Sequence, residues 1–266
     1  MYYFQGQLIY QSIDELGSME VIDIYGERRL HFGTEARQST MLLNQPNQLL
    51  SRYARAMMSW MLFKTDIQSV LMIGLGGGLL AKYLLTHFPH CQLQVVEYRR
   101  EVVKIAHHYF GLPNHPQLSI KIDDGANFMR KQIQQSHSYD LILIDAFDAK
   151  GMANSMTQLS FIDHCQQLLN DDGMLLMNLW SSQTQLFQQI LWYLQQVFAQ
   201  RLWILPIRKR GNTLAIAFNP ELAQFNPKTL KQKALFLEQQ WQLEFPIFVN
   251  DLKMHNPHHF FQWMTL

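Results

Sequence analysis

The chain has 266 residues, 48% hydrophobic and 16% charged, with a formal net charge of +1, enough apolar material for one main α/β domain with an accessory piece. Near-neutral charge and scattered histidines give no electrostatic footprint for nucleic acid, and two cysteines, Cys91 and Cys165, favour a reducing compartment over a disulfide framework. The opening residues lack a basic region and an apolar stretch of signal-peptide length, and no apolar run reaches about 18 residues, so the expectation is a cytoplasmic protein without a membrane span.

Residues 7–32 alternate as strands do, with a turn at Gly26 and Glu27, and predict a small antiparallel β unit. From about Asn47 to Phe63 apolar residues recur at helical spacing, which predicts a helix. Strands at Val70–Ile73, Leu93–Val96, Leu118–Ile122, Leu141–Ile144 and Met174–Leu179 then alternate with helices at about 78–87, 101–109, 126–135 and 158–169. After a helix at about 184–198, Leu202–Ile207 and Thr213–Phe218 form a hairpin about Arg210, Gly211 and Asn212. The pattern is α/β: a doubly wound, mostly parallel seven-stranded sheet ending in an antiparallel hairpin, the S-adenosylmethionine-dependent methyltransferase-like Rossmann layout. Boundaries fall at 1–46 for the β unit, 47–220 for the nucleoside-binding and catalytic domain, and 221–266 for a C-terminal extension that is helical around 228–241. The histidines of the tail, His255, His258 and His259, have no cysteine or carboxylate set beside them and predict no metal site.

The first parallel strand breaks into Gly74-Leu75-Gly76-Gly77-Gly78, and the second ends in Glu97. A strand, a glycine turn and an acid at the next strand tip form a nucleotide-binding crevice, in which glycines let backbone approach a ligand and Glu97 accepts from two ribose hydroxyls. A dinucleotide fingerprint needs glycine at the sixth position, occupied here by Leu79; a phosphate-cradling loop needs a lysine, and none lies between Gly74 and Ala81. What remains is adenosine without phosphate, such as S-adenosylmethionine or its decarboxylated form.

The next two strands run into Asp123-Asp124-Gly125 and into Asp145-Ala146-Phe147-Asp148. Carboxyl ends of parallel strands face the crevice, so these acids converge on it. Asp124 can accept from the adenine amino group, with room for the ring at Gly125; for a lone acid there, capping the following helix is the competing explanation.

With Val70–Gly78, Val96-Glu97, residues 122–128 and residues 139–148, the sequence resembles the spermidine synthases, the polyamine aminopropyltransferases, over about 67–218. The resemblance implies aminopropyl transfer from decarboxylated S-adenosylmethionine to a small-molecule amine, with methylthioadenosine released and no metal. Glu97 would bind the ribose, Asp124 and Gly125 the adenine side; Asp145 would be the general base and Asp148 an amine-binding carboxylate. By the same analogy a homodimer is open. The family's usual aspartate in the glycine turn is absent, the proline after the second aspartate of its Asp-x-x-Asp motif is Ala149, and Lys150 follows. The family's upstream Tyr–Gln or Tyr–His pair is not evident at Glu35–Thr40, nor its N-terminal glutamine around Gly17 and Ser18. Two alternatives stay open: a methyltransferase using S-adenosylmethionine, with Arg37, Arg99 or Lys150 receiving the methionine carboxylate, and a non-catalytic nucleoside-binding homologue.

Overall fold

A computed structural model describes residues 5–147, 151–222 and 227–258. The N-terminal β unit has four strands, β1 (Gln7–Asp14), β2 (Gly17–Ile24), β3 (Glu27–His31) and β4 (Arg37–Leu42), paired in chain order as an antiparallel meander. The fourth strand was not expected. Arg37, Gln38, Ser39 and Thr40 carry no hydrophobic alternation, and the strand is held by its ladder with β3 and by packing on the main domain.

The helix expected over 47–63 is also different. A short α1 (Arg52–Ala56) passes into a 3-10 segment, Met57–Leu62, in which all six residues are buried. Burial on every side puts apolar residues at every position, so their spacing cannot distinguish the two kinds of helix.

The main sheet contains β5 (Ser69–Ile73), β6 (Gln92–Glu97), β7 (Leu118–Ile122), β8 (Tyr139–Ile144), β9 (Leu169–Trp180), β10 (Leu202–Pro206) and β11 (Asn212–Phe218). Their order is β10-β11-β9-β8-β5-β6-β7. β5 to β9 are mutually parallel, and β11 and β10 complete the antiparallel end, as the sequence predicts. The connecting helices are α2 (Leu79–His87), α3 (Arg100–Phe110), α4 (Gly125–Gln134), α5 (Leu159–Gln167) and α6 (Thr184–Val197).

Because strand side chains alternate, each strand feeds two cores. Val70 and Met72 join Leu141, Leu143 and Leu176 on the face covered by α2, α3, the 3-10 segment and the β unit. Leu71 and Ile73 join Ile142, Ile144 and Met177 on the face covered by α4, α5 and α6.

The C-terminal extension is two helices, α7 (Pro227–Trp241) and α8 (Phe245–His255). The second was not expected. Pro246 reads as a breaker, yet in the first turn a proline removes only an N–H that lacks an intrahelical partner anyway. Among the described residues no helix is long and apolar enough to cross a membrane.

At the amino-terminal edge of the sheet, Asp140 gathers four donors. Its Oδ2 accepts from the Gln68 and Ser69 N–H groups at 2.7 and 2.9 Å, its Oδ1 accepts from Asn170 Nδ2 at 2.9 Å, and Lys64 Nζ lies 3.4 Å away. Burial pushes this carboxyl up, but the two N–H groups, Asn170 and the Lys64 charge together hold it below its ordinary 3.8. A lowered native pKa stabilises the fold above the unfolded value and is lost as pH falls through the folded one. Asp140→Asn is therefore expected to cost roughly 1–3 kcal/mol at pH 7. In thermal melts the gap from the natural chain should close as pH falls below 3.8; a gap that persists there would contradict the charge argument.

Candidate active site

The strand order reverses at β5: the chain runs outward through β6 and β7, then returns to place β8 on the other side. Such a switch opens a crevice at the carboxyl ends of the strands. Register fixes what stands there. Ile73 pairs with Val96 on one side and Ile144 on the other, and Ile144 pairs with Met177. The next residues, Glu97, Gly74, Asp145 and Asn178, therefore form a row at one level. By strand alternation the three side chains in that row share a face with Val95, Leu143 and Leu176, which belong to the core beneath the β unit and the 3-10 segment.

A cavity of about 850 Å³ opens on this row and is lined by Gly74, Gly76, Glu97, Asp124, Gly125 and Asp145, together with residues of β3, β4, α1 and the β10–β11 turn. It brings together most of the expected site. Gly77 and Gly78 do not line it. A Cβ on Gly77 would lie 2.9 Å from Phe110 and 2.9 Å from Ser39, and Gly78 (φ +72°) caps α2 against Leu112. The Ser39 hydroxyl accepts from the Gly77 N–H at 2.7 Å. These two glycines thus serve the packing of β4 and α3 on the turn. Gly74 is different: at φ +94°, a Cβ there would stand 2.2 Å from the Asp145 carbonyl oxygen, so only glycine lets the ends of β5 and β8 meet.

Glu97 is 9% exposed, and each carboxylate oxygen takes one backbone donor: Oε2 from Leu75 N–H and Oε1 from Arg99 N–H, both at 2.9 Å. Each oxygen keeps a lone pair for a further donor. Burial raises its pKa, with those N–H groups and the Arg99 charge pulling the other way. Asp124 Oδ1 accepts from Asn127 N–H at 2.9 Å, the geometry of a helix cap, and Oδ2 accepts from the Ser155 hydroxyl at 2.8 Å. Capping and facing the cavity are combined in one side chain. At Gly125 a Cβ would meet Ile73 Cγ2 at 2.6 Å, so the glycine first serves the packing of α4 on β5.

Asp145 is enclosed. Its Oδ1 accepts from Asn178 Nδ2 at 2.9 Å, and the Tyr53 hydroxyl of α1 donates to the same carboxylate. Burial raises the Asp145 pKa, and those two hydrogen bonds oppose the rise. Burial, then the Asp145 charge, pushes the Tyr53 phenol well above its ordinary value. Asn178 is 2% exposed, and its Oδ1 accepts from Asn212 Nδ2 at 3.0 Å. Neither Tyr53 nor Asn178 was expected. Tyr53 is hidden in the helical apolar pattern, whereas Asn178 had a usable signal as a polar residue inside the apolar run Met174–Leu179. Phe147 and Trp180 stack beside Asp145 at 4.8 Å.

Of the three candidate anchors for a carboxylate, Arg99 is committed through Nε and Nη2 to Asp14 at 2.9 and 2.8 Å and to the Gly17 carbonyl at 2.9 Å. Arg37 lines the cavity, 3.9 Å from Glu27. Asp148 and Lys150 lie outside the described residues. Among the described residues, no group of three or more histidine, cysteine or acidic side chains is placed to hold a metal ion.

The spermine/spermidine synthase domain model matches residues 51–241. A polyamine aminopropyltransferase of Neisseria meningitidis is 33% identical over 232 residues, 86% of this chain and 87% of that protein. One from Chromobacterium violaceum is 32% identical over 248 residues, 92% of this chain and 93% of that one. An eEF1A lysine and N-terminal methyltransferase homolog of Drosophila melanogaster is 23% identical over 204 residues, 74% of this chain and 29% of that protein. Among solved structures, a spermidine synthase in complex with the transition state analogue AdoDATO superposes with a TM-score of 0.67 at 17% identity, covering 97% of this chain and 85% of that one. Human methyltransferase-like protein 13 in complex with SAH gives 0.67 at 21% identity, covering 72% and 93%. The chain is a transferase of the spermine/spermidine synthase family, built on a methyltransferase-like fold.

Proposed function

We propose that the chain transfers an aminopropyl group from decarboxylated S-adenosylmethionine to an amine acceptor and releases methylthioadenosine. The observation that carries this reading is the half-buried Asp145 carboxylate, held by Tyr53 and Asn178, in one cavity and at one strand level with Glu97. Glu97 binds the ribose with the lone pairs that Leu75 and Arg99 leave free. Asp124 serves the adenine side with the lone pairs left by Asn127 and Ser155. Asp148, outside the described residues, is the second acceptor-binding carboxylate of this reading.

In the reaction the acceptor nitrogen forms a bond to the methylene carbon next to the sulfonium while that carbon–sulfur bond breaks. The bonding pair stays on sulfur, which leaves as a neutral thioether. The nitrogen's proton passes to Asp145. An ordinary carboxylate near 4 is a poor base for an amine near 10, and the burial of Asp145 narrows that gap. Alignment of nitrogen, carbon and sulfur contributes more: a well-oriented site supplies about 7–11 kcal/mol, against about 10²–10⁴-fold for proton removal.

A second reading, methyl transfer from S-adenosylmethionine, is favoured by relatives named as eEF1A lysine and N-terminal methyltransferases at 23–26% identity. It needs an anchor for the methionine carboxylate; of the candidates, Arg37 lines the cavity without the two-nitrogen carboxylate pair that commits Arg99 to Asp14. Calorimetric titration with decarboxylated S-adenosylmethionine, S-adenosylmethionine and methylthioadenosine separates the two. The favoured reading expects the decarboxylated compound to bind more tightly than its parent; the reverse order would support the methyltransferase.

Asp145→Asn is expected to lower kcat at least about a hundredfold while methylthioadenosine affinity stays within about threefold. Glu97→Ala should instead weaken methylthioadenosine binding by at least about tenfold, because two buried N–H groups and the ribose lose their acceptor. Undiminished turnover in Asp145→Asn would remove the base assignment. The same variant has a stability signature. A native pKa raised above 3.8 makes the charged carboxylate a cost that sets in as pH rises past the unfolded value and is complete above the folded one. Asp145→Asn should therefore melt higher than the natural chain at pH 7 and nearly with it below 3.8; a lower Tm at pH 7 would contradict the burial argument.

A further inference from the structure

The C-terminal helix α8 makes no contact with the cavity, yet its charged side chains grip both segments that close the acceptor end. Glu244, at its N-terminus, receives Arg55 Nε at 3.0 and 2.9 Å and Arg55 Nη2 at 2.7 Å. Arg55 belongs to α1, two residues beyond Tyr53. Seven residues after Glu244, and so on the same side of the helix, Asp251 receives Arg208 Nε at 2.8 Å and Arg208 Nη2. Arg208 begins the β10–β11 turn, whose Asn212 bonds Asn178. At the far end of α8, Asn256 pairs with both backbone groups of Ile204 in β10, accepting from its N–H at 2.7 Å and donating to its carbonyl at 2.8 Å.

These contacts close a circuit. Asp145 is held by Tyr53 and by Asn178. Tyr53 rides on α1, α1 is tied through Arg55 to Glu244, α8 is tied through Asp251 to Arg208, and the turn returns through Asn212 and Asn178 to Asp145. Arg52 adds a direct link from α1 to the Arg208 carbonyl at 3.2 Å. The ion pairs are more than surface decoration, since the Asp251 side chain is only 7% exposed and Arg55 and Arg208 each engage a carboxylate through two nitrogens. The nucleoside end of the cavity has its own supports, with Glu97 held by Leu75 and Arg99 and the β unit by the Arg99–Asp14 pair.

We infer that Glu244 and Asp251 are positioning residues for the acceptor end of the active site, so that α8 acts as a brace setting the Tyr53–Asp145–Asn178 geometry while leaving nucleoside binding to the rest of the fold. The inference rests on the proposed role of Asp145. A misplacement of about 1 Å at a reacting group costs up to about 10²-fold, whereas a helix that merely adds stability leaves kinetic constants of the folded enzyme alone.

The test compares Glu244→Gln, Asp251→Asn, the charge-swapped pair Arg55→Glu with Glu244→Arg, and Ile190→Val. The last is a core change under α6 on the opposite face of the sheet, which lowers stability without touching the brace. Each is assayed with decarboxylated S-adenosylmethionine and the best acceptor from a panel of putrescine, cadaverine and spermidine, and is titrated with methylthioadenosine. The expected result is an acceptor kcat/KM lowered about tenfold or more in Glu244→Gln and Asp251→Asn, methylthioadenosine Kd within about twofold, and recovery to within about threefold in the swapped pair. Because Asp251 is buried, Asp251→Asn that does not fold leaves Glu244→Gln and the swap to decide. Kinetic constants that stay unchanged while Tm falls, as in Ile190→Val, would overturn the brace, as would equal losses of acceptor and nucleoside affinity. Turnover of no panel amine by the natural chain, or full activity in Asp145→Asn, would instead remove the underlying reading.

Discussion

The active-site architecture depends on one close approach, the end of β5 against the end of β8. The missing Cβ of Gly74 leaves the space that the Asp145 carbonyl occupies, and the Asp145 N–H in turn donates to the Ile73 carbonyl at 2.9 Å. On its other side the Gly74 N–H donates to the Val96 carbonyl at 2.8 Å. One residue without a side chain therefore joins the tips of three parallel strands. That junction places Glu97 and Asp145 in a single cavity, and any L side chain at φ +94° would force them apart.

From this junction the division of labour follows. The end proposed for the nucleoside is built from backbone N–H groups on Glu97 and a capped helix start at Asp124, supports that come with the strands themselves. The end proposed for the acceptor is assembled from segments far apart in sequence: α1 for Tyr53, β9 for Asn178 and the start of β11 for Asn212. Burying Asp145 there raises its pKa and costs stability, a common arrangement where a carboxylate must take a proton. The glycine turn is packed against β4, with the Ser39 hydroxyl accepting from the Gly77 N–H.

Much of this was legible in the sequence, for physical reasons. Buried parallel strands are nearly continuous apolar runs, so β5 and β8 announce themselves, β6 and β7 show as shorter apolar stretches broken by polar residues, and the acids at the ends of β6, β7 and β8 mark the crevice. The strand β4 and the helix α8 did not, because Ser39 and Thr40 carry no alternation and Pro246 reads as a stop until it is known to lie in a first turn. The glycines of the turn were read as a ligand cradle. Gly74 and Gly76 do line the cavity, but Gly77 and Gly78 are there for neighbouring side chains that no local pattern reveals. Tyr53 is likewise hidden, because its partner Asp145 lies far along the chain and is met only when α1 packs over the strand ends, whereas Asn178 stands out as a polar residue in an apolar run and the β8–β9 register brings it beside Asp145.

In the proposed reaction both ends of one cavity act together, with the nucleoside sulfonium held by the row that begins at Glu97 and the acceptor by the row's other end at Asp145. Mass spectrometry of the products formed from decarboxylated S-adenosylmethionine and an amine tests this most directly. The expected product is an amine enlarged by one aminopropyl unit, with methylthioadenosine in equal amount. Methylated acceptor from S-adenosylmethionine, or tight methylthioadenosine binding without turnover of any amine, would contradict it.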